Sequence, residues 1–89
     1  MDDDRLRELH DHLMATAERP VERTASRWLG EAEAVARDVA QSDLDPAVRR
    51  ERLAKVEHLL ANVEDTGDGA ADDHVDAARD IVGELLADS

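Results

Sequence analysis

An 89-residue chain with 23 acidic residues, 11 basic residues and a net charge of -12 is a single domain by length, and its charge disfavours nucleic acid and anionic membranes as partners, because both are bound through Lys and Arg. The absence of cysteine excludes disulfides, thiolate nucleophiles and cysteine-ligated zinc. No apolar run is long enough to span a bilayer, and Met1-Asp2-Asp3-Asp4 lacks the basic start of a signal peptide, so a soluble cytoplasmic protein is expected.

No stretch alternates with period two over strand length, whereas four segments carry helical periodicity. The first runs from about Asp3 to Glu18. Leu6, Leu9, Leu13 and Ala17 form its apolar stripe, with Met14 beside them. Asp2, Asp3 and Asp4 place negative charge at the positive end of its dipole. Pro20 ends or kinks it, since proline lacks an amide proton and clashes with the preceding turn.

The second segment runs from about Val21 to Gln41, with Val21, Trp28 and Val35 sharing one register and Thr24 or Ala25, Ala32 and Val39 filling the neighbouring positions. Pro20 suits its first turn, and Thr24 is the alternative N-cap. Gly30 falls inside the helix, either to admit a close partner or at a simple cost of about 1 kcal/mol relative to Ala.

The third segment has the clearest start, with Asp45 as N-cap and Pro46 at the first helical position. Leu53, Val56, Leu60 and Val63 form its stripe, widened by Val48 and Leu59. The polar run Asp65-Thr66-Gly67-Asp68-Gly69 breaks the chain. The fourth segment starts near Ala70 to Asp73 and ends near Ala87, with Val75, Ala78, Val82 and Leu85 in line and Ile81 and Leu86 alongside.

The sequence therefore predicts an all-α fold over residues 1–89, an up-and-down bundle of four helical segments. The last two form an antiparallel hairpin; the first two form either a hairpin or one long kinked helix. The core is thin: Leu, Ile and Val total 19 residues, Phe and Tyr are absent, and Trp28 is the only aromatic of their class. Salt or dimerisation would compensate for so little apolar surface.

Fourteen of the 23 acids are Asp, and Lys55 is the only lysine among 11 bases. Asp is a poorer helix former than Glu, so this choice answers to something other than helicity. Abundant Asp, scarce Lys, plentiful Ala and few large apolar residues resemble the small acidic helical proteins of halophilic archaea. That resemblance implies a cytoplasm rich in salt, in which a Debye length of about 3 Å screens repulsion between carboxylates. It supplies no activity.

Trp28, Arg27 and Gly30 are a candidate interface anchor, because Trp and Arg are enriched at binding hot spots. The shared register with Val21 and Val35 favours Trp28 as the central plug of the bundle. Glu8 and His12, four apart, share a helix side and are two candidate metal ligands, or a solvent-exposed ion pair. His10 and His74 read as half-packed residues at the core edge, and His58 lies on a polar side with Lys55 and Asn62. The loop from Glu64 does not match a calcium loop, since the twelfth position is Val75 where a bidentate Glu is required. Arg49, Arg50 and Arg52, near Asp43 and Asp45, read as a salt-bridged helix surface ahead of a phosphate site.

Arg52 and His58 loosely resemble the Arg-to-His spacing of the HEPN family of helical ribonucleases, which would imply nuclease chemistry. Helical chorismate mutases of the AroQ class place Arg and Lys inward; here the register places Val, Leu and Ala inward. No catalytic, cofactor or metal site is assigned. The expected function is a non-enzymatic helical interaction module, with self-association or a protein partner. The alternative is a metal-binding or hydrolytic bundle built on His and acidic side chains.

Overall fold

The computed structural model describes residues 3–87 and contains four helices: α1 (Asp3–Ala17), α2 (Arg23–Gln41), α3 (Pro46–Ala61) and α4 (Gly69–Ala87). Asp2, one of the aspartates expected at the helix start, lies outside the described residues. Each helix packs on its neighbours in sequence, and α1 closes the ring against α4; among the described residues no pair meets across the diagonal. Arg5 pairs with Glu84 near one end of α1, and Arg19 just beyond the other end pairs with Asp68, so α1 and α4 run antiparallel. The result is an up-and-down four-helix bundle, 36 × 20 × 19 Å. The first two segments are separate helices rather than one kinked rod, because the chain turns back through residues 18–22. There Glu18 and Arg19 donate to the carbonyls of Ala15 and Thr16 as α1 unwinds.

The stripes of α3 and α4 are buried as the spacing predicts. Leu53, Val56, Leu60 and Val63 face Val75, Ala78, Ile81, Val82 and Leu85 within one core. Residues spaced three and four apart share one helix face, which is why those positions converge. Val48 is only half-buried.

The stripe of α1 ends differently. Leu6, Leu9 and Leu13 are buried, but Thr16 takes the next inward position and Ala17 is exposed. Thr16 is tolerated there because its hydroxyl donates to the Leu13 carbonyl at 2.6 Å, so no buried donor is left open.

The register of α2 is also turned. Ala25, Leu29, Ala32, Ala36 and Val39 point into the core, while Trp28 and Val35 pack at its rim. Trp28 is therefore not the central plug. Three alanines let α2 approach its neighbours closely, and the space so removed has no place for an indole. The helix starts at Arg23 with Glu22 as N-cap, so neither Pro20 nor Thr24 caps it. Asp45 and Pro46 open α3 as expected.

Two arginines close helix ends that the sequence left open. Arg79 of α4 donates to the carbonyl of Leu60 at 2.7 Å and to that of Val63, at the end of α3. Arg50 of α3 donates to the carbonyl of Leu86 at 2.7 Å, at the end of α4. The last carbonyls of a helix lack amide partners and carry its negative pole, so each guanidinium both bonds and neutralises.

Candidate functional site

A shallow groove of about 160 Å³ runs along the seam between α1 and α2. Leu13, Met14, Val21, Leu29 and Gly30 are among the residues that line it. Met14 is 43% exposed, the one large hydrophobic residue so exposed among those described. A Cβ built on Gly30 would meet nothing within 4 Å, so no packing inside this chain calls for glycine there. Gly30 thus opens the groove outward rather than admitting another helix of the same bundle.

The three residues of the candidate anchor are not brought to one point. Arg27 lies over the Trp28 ring at 5.8 Å from its centroid, an exposed cation–π contact. Gly30, two residues on, is rotated about 160° from Trp28 around the helix axis. It lines the groove on the α1 side, whereas Trp28 packs at the core rim. Met14, which sequence reasoning placed only beside the stripe, is the residue that joins Gly30.

The histidines separate into distinct environments. The His10 Nε2–H donates to Glu33 Oε1 at 2.8 Å; a carboxylate only accepts, so that nitrogen carries the proton. This pair bridges α1 to α2, and Arg37 lies 3.6 Å from the same Glu33 oxygen. His12 and His74 meet across the α1–α4 seam, with their Nδ1 atoms 2.9 Å apart and their rings tilted by 47°. Glu8 Oε1 lies 4.0 Å from His12 Nε2, the i,i+4 relation expected from the spacing. His58 is exposed on α3, where its carbonyl accepts from the Asn62 side chain at 3.0 Å. Among the described residues no group of three or more His, Asp or Glu is arranged to hold a metal ion.

The loop between α3 and α4 is a cap. Asp68 Oδ2 accepts from the Ala71 backbone N–H at 3.0 Å, the N-cap geometry that satisfies an orphan donor. Arg19 grips the same carboxylate through two nitrogens, at 2.9 and 3.1 Å. Arg19 first, then the Ala71 amide, hold the Asp68 carboxyl below the usual carboxylate range. Asp72 is also held low, first by the backbone N–H of Thr66 and then by the Thr66 hydroxyl. Gly67 has φ +78°, and a Cβ there would come 3.2 Å from Glu22 Cγ, so the turn needs glycine. Thr66, Asp68 and Asp72 are thus engaged in capping the start of α4.

The basic cluster of α3 is dispersed. Arg52 is exposed, Arg49 is half-buried, and neither forms an ion pair with Asp43 or Asp45, while Arg50 reaches the Leu86 carbonyl at the end of α4. Arg52 and His58 both lie exposed on α3, and among the described residues no hydrogen bond or ion pair joins their side chains.

No helix among the described residues is long and apolar enough to cross a membrane. Neither curated proteins nor solved structures yield a match to this chain. A family model described as a domain of unknown function, DUF8152, matches residues 5–89, and the chain belongs to that family.

Proposed function

We propose that this protein is a non-enzymatic helical interaction module of a salt-rich cytoplasm, and that it docks a second copy of itself on the α1–α2 seam. The observation that carries this reading is the exposed Met14 beside the open backbone of Gly30, on a chain otherwise dominated by charge. A glycine on an outer helix face lets another helix approach closely, and a flexible thioether adapts to the shape of what arrives. The module reading also answers to the thin core, because a dimer buries apolar surface that one chain lacks.

Two chains of net charge -12 repel each other unless that charge is screened. In molar salt the screening length is about 3 Å, so only pairs in contact feel one another. Self-association therefore belongs to high salt. Light scattering after size exclusion in molar KCl tests it. A mass near twice the 9.8 kDa chain is expected, falling to the single-chain mass in Met14→Glu. A monomer of the wild-type chain at high protein concentration in molar KCl would remove the self-docking reading.

A further inference from the structure

We infer that His12 and His74 form a two-imidazole site for a transition-metal dication of the Cu(II) or Ni(II) class. Their Nδ1 atoms lie 2.9 Å apart on facing helices, α1 and α4. A metal bound at about 2.05 Å from each imidazole nitrogen places them about 2.9 Å apart when they occupy adjacent positions at 90°, and about 3.3 Å apart in a tetrahedron. The spacing matches cis positions of a tetragonal ion; with ring centroids 5.1 Å apart the two nitrogens face one another nearly head-on in the metal-free protein, so each ring turns to aim its Nδ1 at the ion, and water completes the coordination.

Charged side chains surround the pair. Glu8 divides its two oxygens: Oε2 accepts from Arg5 Nη1 at 2.7 Å, while Oε1 faces His12 Nε2 at 4.0 Å. Arg5 also pairs with Glu84 on the adjacent helix, which ties this arrangement to α4. A carboxylate facing Nε2 favours the proton on that nitrogen and leaves Nδ1 bare, the state a metal needs. His74 then donates from its own Nδ1 in the metal-free protein. Metal binding needs both Nδ1 atoms bare, so the proton of the N–H···N bond moves to the other nitrogen of its ring or to water, and one N–H···N bond is exchanged for two metal–nitrogen bonds. Glu8 acts as a positioning residue, since it faces the ring nitrogen away from the metal.

The site is distinct from the α1–α2 groove and stands whether or not the chain dimerises. The other histidines provide internal controls, because His10 is engaged by Glu33 and His58 lies exposed on α3.

The probe is Ni(II) alone, titrated calorimetrically into the full chain in molar KCl, where nonspecific attraction to surface carboxylates is screened. One ion per chain is expected to bind with a micromolar Kd. His12→Gln and His74→Gln should each weaken binding at least tenfold, and His10→Gln should leave it within twofold. Cu(II) added to the wild-type chain gives a second readout that needs no variant: pulsed electron paramagnetic resonance should report two coordinated imidazoles. One imidazole or none in that spectrum, no binding at 100 µM Ni(II), or affinity unchanged in both His12→Gln and His74→Gln would each overturn the assignment.

Discussion

Thr66 and Asp72 are joined twice: the Thr66 backbone N–H donates to Asp72 Oδ1 at 3.0 Å, and the Thr66 hydroxyl reaches the same oxygen at 2.7 Å. Thr66 is fully buried although it lies in a polar loop. Its carbonyl accepts from the Glu22 N–H at 2.8 Å, which ties the α3–α4 loop to the start of α2. One threonine thus links two connections at the same end of the bundle. Thr66→Val keeps the shape and removes the hydroxyl, leaving the Asp68 N–H that contacts it at 3.2 Å without that acceptor. A loss of about 1–3 kcal/mol is expected, read as a lower urea midpoint in molar KCl. An unchanged midpoint would show that the hydroxyl contributes nothing.

Acid should unfold the protein through this loop. Asp68 and Asp72 both have folded-state values depressed below the usual carboxylate range. An unfolded carboxylate binds protons first as pH falls, so stability rises with pH across this window. The contribution of the pair is complete above the ordinary range near pH 4 and is lost as pH drops through the depressed values. Thermal melts at successive pH values should show a steep fall below about pH 4. Asp72→Asn should be less stable at neutral pH and show a shallower acid slope. Equal slopes in the variant and the wild type would assign acid sensitivity to other groups.

The glycines should respond with opposite signs. Gly30 and Gly83 lie inside helices where an added Cβ meets nothing within 4 Å. Alanine at either position should stabilise the chain by about 0.5–1 kcal/mol. Gly67→Ala should destabilise it by about 1 kcal/mol or more, because φ +78° is strained for an L side chain. Gly30→Ala carries a second expectation: the single chain becomes more stable while its self-association weakens. Stabilisation with undiminished dimerisation would separate Gly30 from the proposed interface.

Salt should govern folding as well as association. With a net charge of -12, helicity by circular dichroism and the melting temperature should both fall as KCl is lowered from molar to about 0.1 M, where the Debye length grows to about 10 Å. A melting temperature constant across that range would contradict the proposed adaptation to salt.

The contrast between α3 and α2 explains how much of the fold was legible. Along α3, Leu53, Val56, Leu60 and Val63 are large and apolar among polar neighbours, so spacing alone marks the inward face. Along α2 the inward residues are mostly alanines, and alanines also lie outward at positions such as Ala40, so Trp28 and Val35 were the louder and misleading signal. Alanine declares no face in sequence; its neighbours in space decide it. Thr16 and Thr66 hid in the same way, because a buried hydroxyl is satisfied by a partner that only the folded chain supplies.

The sites divide along similar lines. Glu8 and His12 were legible as neighbours because helical spacing places i and i+4 side by side. Their link to His74, the His10–Glu33 bridge, the Arg19–Asp68 grip and the helix-end bonds of Arg50 and Arg79 were not legible. Each joins residues on different helices or loops, and local periodicity carries no information about which faces meet.

By itself, then, the sequence determined four helical segments, the breaks at Pro20, before Pro46 and at Gly67, and the net charge of the chain, while leaving open whether the first two segments were one kinked helix. Backbone preference and charge are properties of the chain and need no partner. The tertiary structure decided the rotation of α2, the outward place of Gly30 beside Met14, and the meeting of His12 with His74. Those depend on how closely alanine-lined helices approach one another, and that distance is fixed only when all four pack together.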